Sequence, residues 1–171
     1  RDYKVTGVQT CALPIYSGST RRYPRNCPRA AANIVALALI SNGEVKPAEA
    51  AVLEAMRVHE QLGLSRKEWH DVVHELCIDL LWSSTHGTDC RIDGRKIEQM
   101  LADIDDVALQ RLVLRLCTAV VNADGKIDDG ESIVVLAAID HWGLHPDEHE
   151  LLEPLLYGLD FQVTARGGRW V

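Results

Sequence analysis

The chain has 171 residues, 47% hydrophobic and 25% charged, a globular balance that excludes a disordered or collagen-like polymer. At this length roughly 70% of the unfolded surface can be buried, so folding needs neither a metal nor a disulfide staple. Aromatic residues make up only 5%, with one Phe, and the abundance of Leu, Ala and Val favours helices over strands. The longest apolar runs, 34–40 and 133–139, are far shorter than the ~20 residues of a membrane-spanning helix. The expectation is a soluble, single-domain, all-α protein, a compact bundle of about seven helices.

The formal net charge of −7 is unevenly distributed. Residues 1–30 carry six Lys/Arg against one acid, and residues 31–171 carry twelve against twenty-four. Residues 1–15, RDYKVTGVQTCALPI, resemble the translation of a sequencing-library adapter, so this stretch is expected to contribute nothing to the fold. Residues 16–29 are rich in Arg, Ser and Pro without hydrophobic period, and predict a disordered basic arm. The helical domain is expected over 30–158, with a C-terminal tail over 159–171. Beyond Cys11, the four cysteines Cys27, Cys77, Cys90 and Cys117 form no CxxC pair. Their sparse spacing fits a reducing compartment, and no signal peptide pattern is visible, so a cytoplasmic location is expected.

In chain order, 30–42 is apolar on every side and predicts a buried helix ended by Gly43. Pro47 suits the first turn of the next helix, expected to run through 48–62 to Gly63. The clearest stripe lies over 65–82, where Trp69, Val72, Val73, Leu76, Cys77 and Leu80 recur at helical spacing. Ser65 and Glu68 form a capping box at its start. Residues 83–93 read as a loop, and Ile97, Met100, Leu101 and Ile104 mark a helix over 94–104. Asp105 or Asp106 can cap the next helix, which continues to Asp124 and stops at Gly125. Further helices are expected over 129–142, ended by Gly143, and from Pro146, broken or kinked near Pro154.

The two halves repeat. Asn42-Gly43-Glu44-Val45 aligns with Asp124-Gly125-Lys126-Ile127 at an offset of 82, which also matches Glu49 with Glu131, Ala55 with Ala137 and His59 with His141. The pattern predicts a pseudo-twofold helical unit sharing one core. Neither copy is an EF-hand. With Gly125 at the sixth position of a calcium loop, Val120 falls where the first carboxylate ligand belongs, and Ala38 takes that place in the first copy.

The string VVNADGKIDDGE, with the helices around it, resembles the TerB tellurite-resistance family, and ALISNGEVKPAEAAVLEAMRVHEQLGLS resembles the other half of that family. The N-terminal domain of a DnaJ-like membrane co-chaperone is similar in pattern. The likeness covers roughly 32–156. It implies a compact all-helical, non-enzymatic domain linked to tellurite and general stress response, with acidic residues that bind metal. The first copy carries Asn42 where the family favours Asp.

Two readings compete for the acidic residues. Asp128 can cap the helix that follows, with Glu131 closing a capping box worth ~1 kcal/mol, and Gly125 suits a left-handed helix end. Alternatively, Asp124, Glu131 and Asp128, with Glu49 from the first copy, converge on a divalent cation. Carboxylates completed by water suit calcium or magnesium better than zinc.

A different class of function rests on His70-Asp71-Val72-Val73-His74, whose histidines share a helix face as in a zinc-dependent hydrolase. Both lie at the flank of the apolar stripe, where boundary histidines are expected. Trp69 and Trp142 occupy core-facing positions. No G-x-S-x-G, P-loop or dinucleotide-binding glycine pattern occurs, and the acidic body opposes a nucleic-acid footprint. Protein partners are therefore expected.

Overall fold

The computed structural model describes residues 21–41, 45–85, 94–123 and 129–144, the side chains of 82–85 and 129–131 excepted. Among the described residues there are seven helices and no strand, so the protein is an all-α bundle.

Helix α1 (Pro28–Ile40) is the axis of the bundle. Every residue from Ala30 to Ile40 is buried, as a helix that is apolar all round requires. Four neighbours surround it: α4 (Arg66–Thr85), α5 (Gly94–Ala102), α6 (Val107–Val121) and α7 (Asp129–Trp142). The alanines of α1 let these helices come close. Helix α2 (Pro47–Ala55) packs on α6 and joins α3 (Val58–Gln61), which lies on α4.

Pro47 takes the first position of α2, as expected, but the predicted single helix over 48–62 is two. Arg57 adopts φ +50°, the left-handed region, and this turn separates α2 from α3. Periodicity carries no warning of such a break, because Leu53, Val58 and Leu62 are buried on both sides of it. Gly63 and Gly143 end helical runs as expected, while Gly43 and Gly125 lie outside the described residues. Gly63 (φ +73°) follows α3, and Leu64 N–H donates to the His59 carbonyl at 2.8 Å; Gly143 (φ +61°) follows α7, and Leu144 N–H donates to Ile139 at 3.2 Å.

Two of the predicted caps are described, and both form. Ser65 N–H donates to Glu68 Oε2 at 2.9 Å, and Glu68 N–H donates back to Ser65 Oγ at 3.2 Å. Asp106 is the N-cap of α6, accepting from Leu109 N–H at 2.8 Å. The α4 stripe buries Trp69, Val72 and Leu76. Trp142 is half-buried, and its indole N–H donates to the Leu101 carbonyl at 3.2 Å. Cys117 is enclosed on α6, and burial pushes its thiol pKa up to about 12, so it behaves as a small apolar side chain.

The expected disordered arm over 16–29 is corrected across 21–29. Tyr23 and Cys27 are each only 7% exposed and belong to the core. Cys27 caps α1, its sulfur accepting from Ala30 N–H at 3.4 Å, and Pro28 begins the helix. Asn26 ties this segment to the corner between α5 and α6. Its N–H donates to the Asp103 carbonyl at 2.8 Å, while its side-chain oxygen accepts from the N–H groups of Asp105 (2.8 Å) and Asp106 (3.1 Å). Asn26 sits at φ +55°, a conformation that asparagine tolerates well. These interactions are polar and long-range, so a search for hydrophobic period does not register them. The loop expected over 83–93 starts later, since α4 continues through Thr85; residues 1–15, 86–93, the helix expected from Pro146 and the tail over 159–171 lie outside the described residues.

Acid should loosen two of these corners. Hydrogen bonds from Ser65 to Glu68, and from Asn26 to Asp105, hold both carboxyls below their ordinary values. A carboxyl depressed in the folded state contributes stability above its unfolded pKa, and loses it as pH falls through the folded pKa. The melting temperature is expected to drop below about pH 4, and the drop to be shallower in Asp105→Asn; a melting series from pH 7 to pH 3 reads both.

Candidate functional site

Glu49 is the feature of the bundle least explained by packing. It stands in the first turn of α2, after Lys46 at the N-cap and Pro47. A carboxylate at that position complements the helix dipole. Its side chain, however, has 0% exposure, and burial of an ionised carboxylate is expensive unless it is paired and hydrogen-bonded. Lys46 Nζ approaches Glu49 Oε1 at 3.4 Å, and the lysine is itself 23% exposed. That contact brings opposite charges together without hydrogen-bond alignment, and neither Glu49 oxygen has a hydrogen-bond partner among the described residues. The charge is thus partly balanced and its lone pairs are not.

The neighbouring elements are in keeping with a polar locus. Helix α2 packs against α6, which carries a second buried oxygen without a hydrogen-bond partner among the described residues, Thr118 Oγ1. Asn122, at the C-cap of α6, donates from its side chain to the Thr118 carbonyl at 2.9 Å and so closes the helix end. The chain between α1 and α2 contains Asn42, and the chain between α6 and α7 contains Asp124 and Asp128; all three lie outside the described residues. Glu131 belongs to the first turn of α7, with its side chain likewise outside. Of the four acidic candidates, only Glu49 is therefore placed. Among the described residues no group of three or more His, Cys, Asp or Glu is arranged to hold a metal ion.

His70 and His74 are exposed on α4, on the side away from Val72 and Leu76. Asp71, where a zinc hydrolase would need its general base, instead accepts a hydrogen bond from Lys67 Nζ at 2.8 Å. That bond holds the Asp71 carboxyl below the ordinary aspartate range, which weakens it as a base. These features suit a solvated helix face.

Sequence reasoning missed the Arg-Arg-Tyr-Pro-Arg segment, which the structure lays over acidic side chains of α4 and the α5–α6 corner. The available signal was charge complementarity between a basic arm and an acidic body. Among the described residues no helix is long and apolar enough to cross a membrane. Compared with known proteins, the chain matches no family model, no curated protein and no solved structure.

Proposed function

We propose that the protein is a TerB-like, non-enzymatic helical domain of the stress-response and tellurite-resistance type, working in the cytoplasm through protein partners and responding to a divalent cation. The observation that carries the cation is Glu49, fully buried with both carboxylate oxygens lacking hydrogen bonds among the described residues. Such a group is stabilised by a hard cation, for which carboxylate oxygen is the natural ligand. Glu131 is its counterpart in the second half, and Asp124 and Asp128 supply further carboxylates in the same chain segment. One packing relation supports the proposed duplication: α2 lies on α6 as α7 lies on α1, whereas the packing of α7 on α6 has no equal between α2 and α1.

The test is a thermal melt with and without millimolar calcium or magnesium, on the unaltered chain and on Glu49→Gln, Glu131→Gln and Asp124→Asn. The unaltered chain is expected to melt higher with the cation, since a ligand bound only by the folded state stabilises it by mass action. Each substitution is expected to remove that rise. Without cation, Glu49→Gln is expected to be neutral or stabilising, because a buried charge is removed and Lys46 keeps access to water. No ion-dependent shift in the unaltered chain would leave Glu49, Asp124, Asp128 and Glu131 as helix punctuation.

A further inference from the structure

Residues 21–24 carry no regular structure and 25–26 form a turn, so that the segment 21–27 reaches acidic side chains of α4 and of the α5–α6 corner. Arg21 reaches Glu75 at 2.9 Å and Asp79 at 3.7 Å, and its N–H donates to Asp79 Oδ2 at 3.2 Å. Arg22 pairs with Asp103 at 2.7 Å and Arg25 with Asp105 at 3.0 Å. Tyr23 OH donates to Glu75 Oε2 at 3.0 Å, and burial together with the Glu75 charge raises the phenol pKa. The apolar anchors are few: Tyr23 near Ala30, Asn33 and Met100, and Cys27 at the start of α1. The core of the bundle is held the opposite way, by α1, α4 and α6 with their fully buried aliphatic side chains.

We infer that residues 21–27 form an electrostatic strap, which opens as a unit at high ionic strength while the bundle beneath it stays folded. Opening lays bare an acidic face of Glu75, Asp79, Asp103 and Asp105, together with the N-terminal end of α1. The physical reason is the unequal response of the two kinds of contact to salt. The screening length shrinks from about 10 Å at 0.1 M salt to about 3 Å at 1 M, which weakens exposed charge pairs most. Arg22 and Arg25 are 67% and 64% exposed and so open to screening, whereas the Arg21 pairs, 12% exposed at the arginine, are screened less. Buried aliphatic packing is not weakened in this way. A segment with few apolar contacts and several partly exposed ion pairs belongs to the low-stability end of a fold and opens locally before global unfolding.

Two groups on the full chain report the strap directly. The Asn26 amide is bonded to the Asp103 carbonyl, and the Cys27 thiol is buried at the junction with α1. Cys117, about 1% exposed on α6, reports the core. The experiment is peptide-resolved thiol labelling, with backbone amide exchange, at constant pH in low and in 1 M sodium chloride. Labelling of Cys27 and exchange at Asn26 are expected to accelerate about tenfold with salt, while Cys117 stays protected. In the double variant Arg22→Gln/Arg25→Gln, which removes the two exposed pairs, both strap signals are expected to be fast already at low salt and to lose most of their salt dependence. Lys67→Gln, which removes an exposed pair on α4 distant in sequence from the strap, is expected to behave as the unaltered chain. Equal acceleration of Cys27 and Cys117, or strap signals that do not change with salt, would overturn the inference. If the double variant unfolds globally, the salt series on the unaltered chain decides alone.

Discussion

Leu76→Ala is expected to destabilise the protein by about 2–5 kcal/mol, the range for removing a large aliphatic side chain from a core that collapses incompletely. Leu76 is 2% exposed, on the stripe by which α4 packs against the central helix α1. Its loss removes contacts from the interface that fixes α4 to the axis. His70→Ala, on the opposite side of the same helix, is expected to change stability by less than about 0.5 kcal/mol. Urea unfolding of both variants checks the pair through the midpoint at unchanged slope. Similar losses in the two would mean that α4 does not bury the Val72–Leu76 face.

Tyr23→Ala is the second large effect, expected at about 2–4 kcal/mol, near the lower part of the range for burying an aromatic side chain. The ring is 7% exposed and its hydroxyl donates to Glu75. The loss has a ceiling that Leu76→Ala lacks. A strap able to open locally can lose no more stability than its own closed state contributes, because the bundle without it is still folded. Tyr23→Phe keeps the ring and gives up one hydrogen bond to a charged acceptor, so about 1–2 kcal/mol is expected. Removal of residues 1–29 is expected to lower the melting temperature, since Asn26, the Cys27 cap and Pro28 go with it; removal of 1–15 alone leaves every one of these contacts in place. Thermal melts of the four chains rank the effects, and an unchanged melting temperature on removing 1–29 would show that the strap contributes nothing.

The helices were legible wherever one face of a segment repeats every three or four residues. Trp69, Val72 and Leu76 announce α4, and Ser65 with Glu68 announces where it starts. The all-apolar run of α1 announces a helix enclosed on every side, which fixes its place at the centre. Chain punctuation was legible too: Gly63 and Gly143 end helical runs because a left-handed residue is needed there, and glycine takes it without steric cost.

What sequence alone could not determine depends on partners far away in the chain. Arg57 in the left-handed region splits one expected helix into α2 and α3, and no local pattern foretells it. The strap is held by Glu75, Asp79, Asp103 and Asp105, more than fifty residues from the arginines that meet them, so its order exists only once α4 and the α5–α6 corner are in place. Glu49 is the sharpest case. By itself, a glutamate two residues after Pro47 at the start of a helix is an ordinary solvated first-turn acid, favoured by the helix dipole. Packing of α2 against α6 takes it out of water and leaves its oxygens without hydrogen bonds among the described residues, and that desolvation is what turns a helix-start residue into a candidate ligand. Local spacing therefore determined which segments are helical and which residues face inward, because both follow from a period of 3.6. Tertiary structure alone decided which charges are buried, since burial is a property of the neighbours that distant parts of the chain provide.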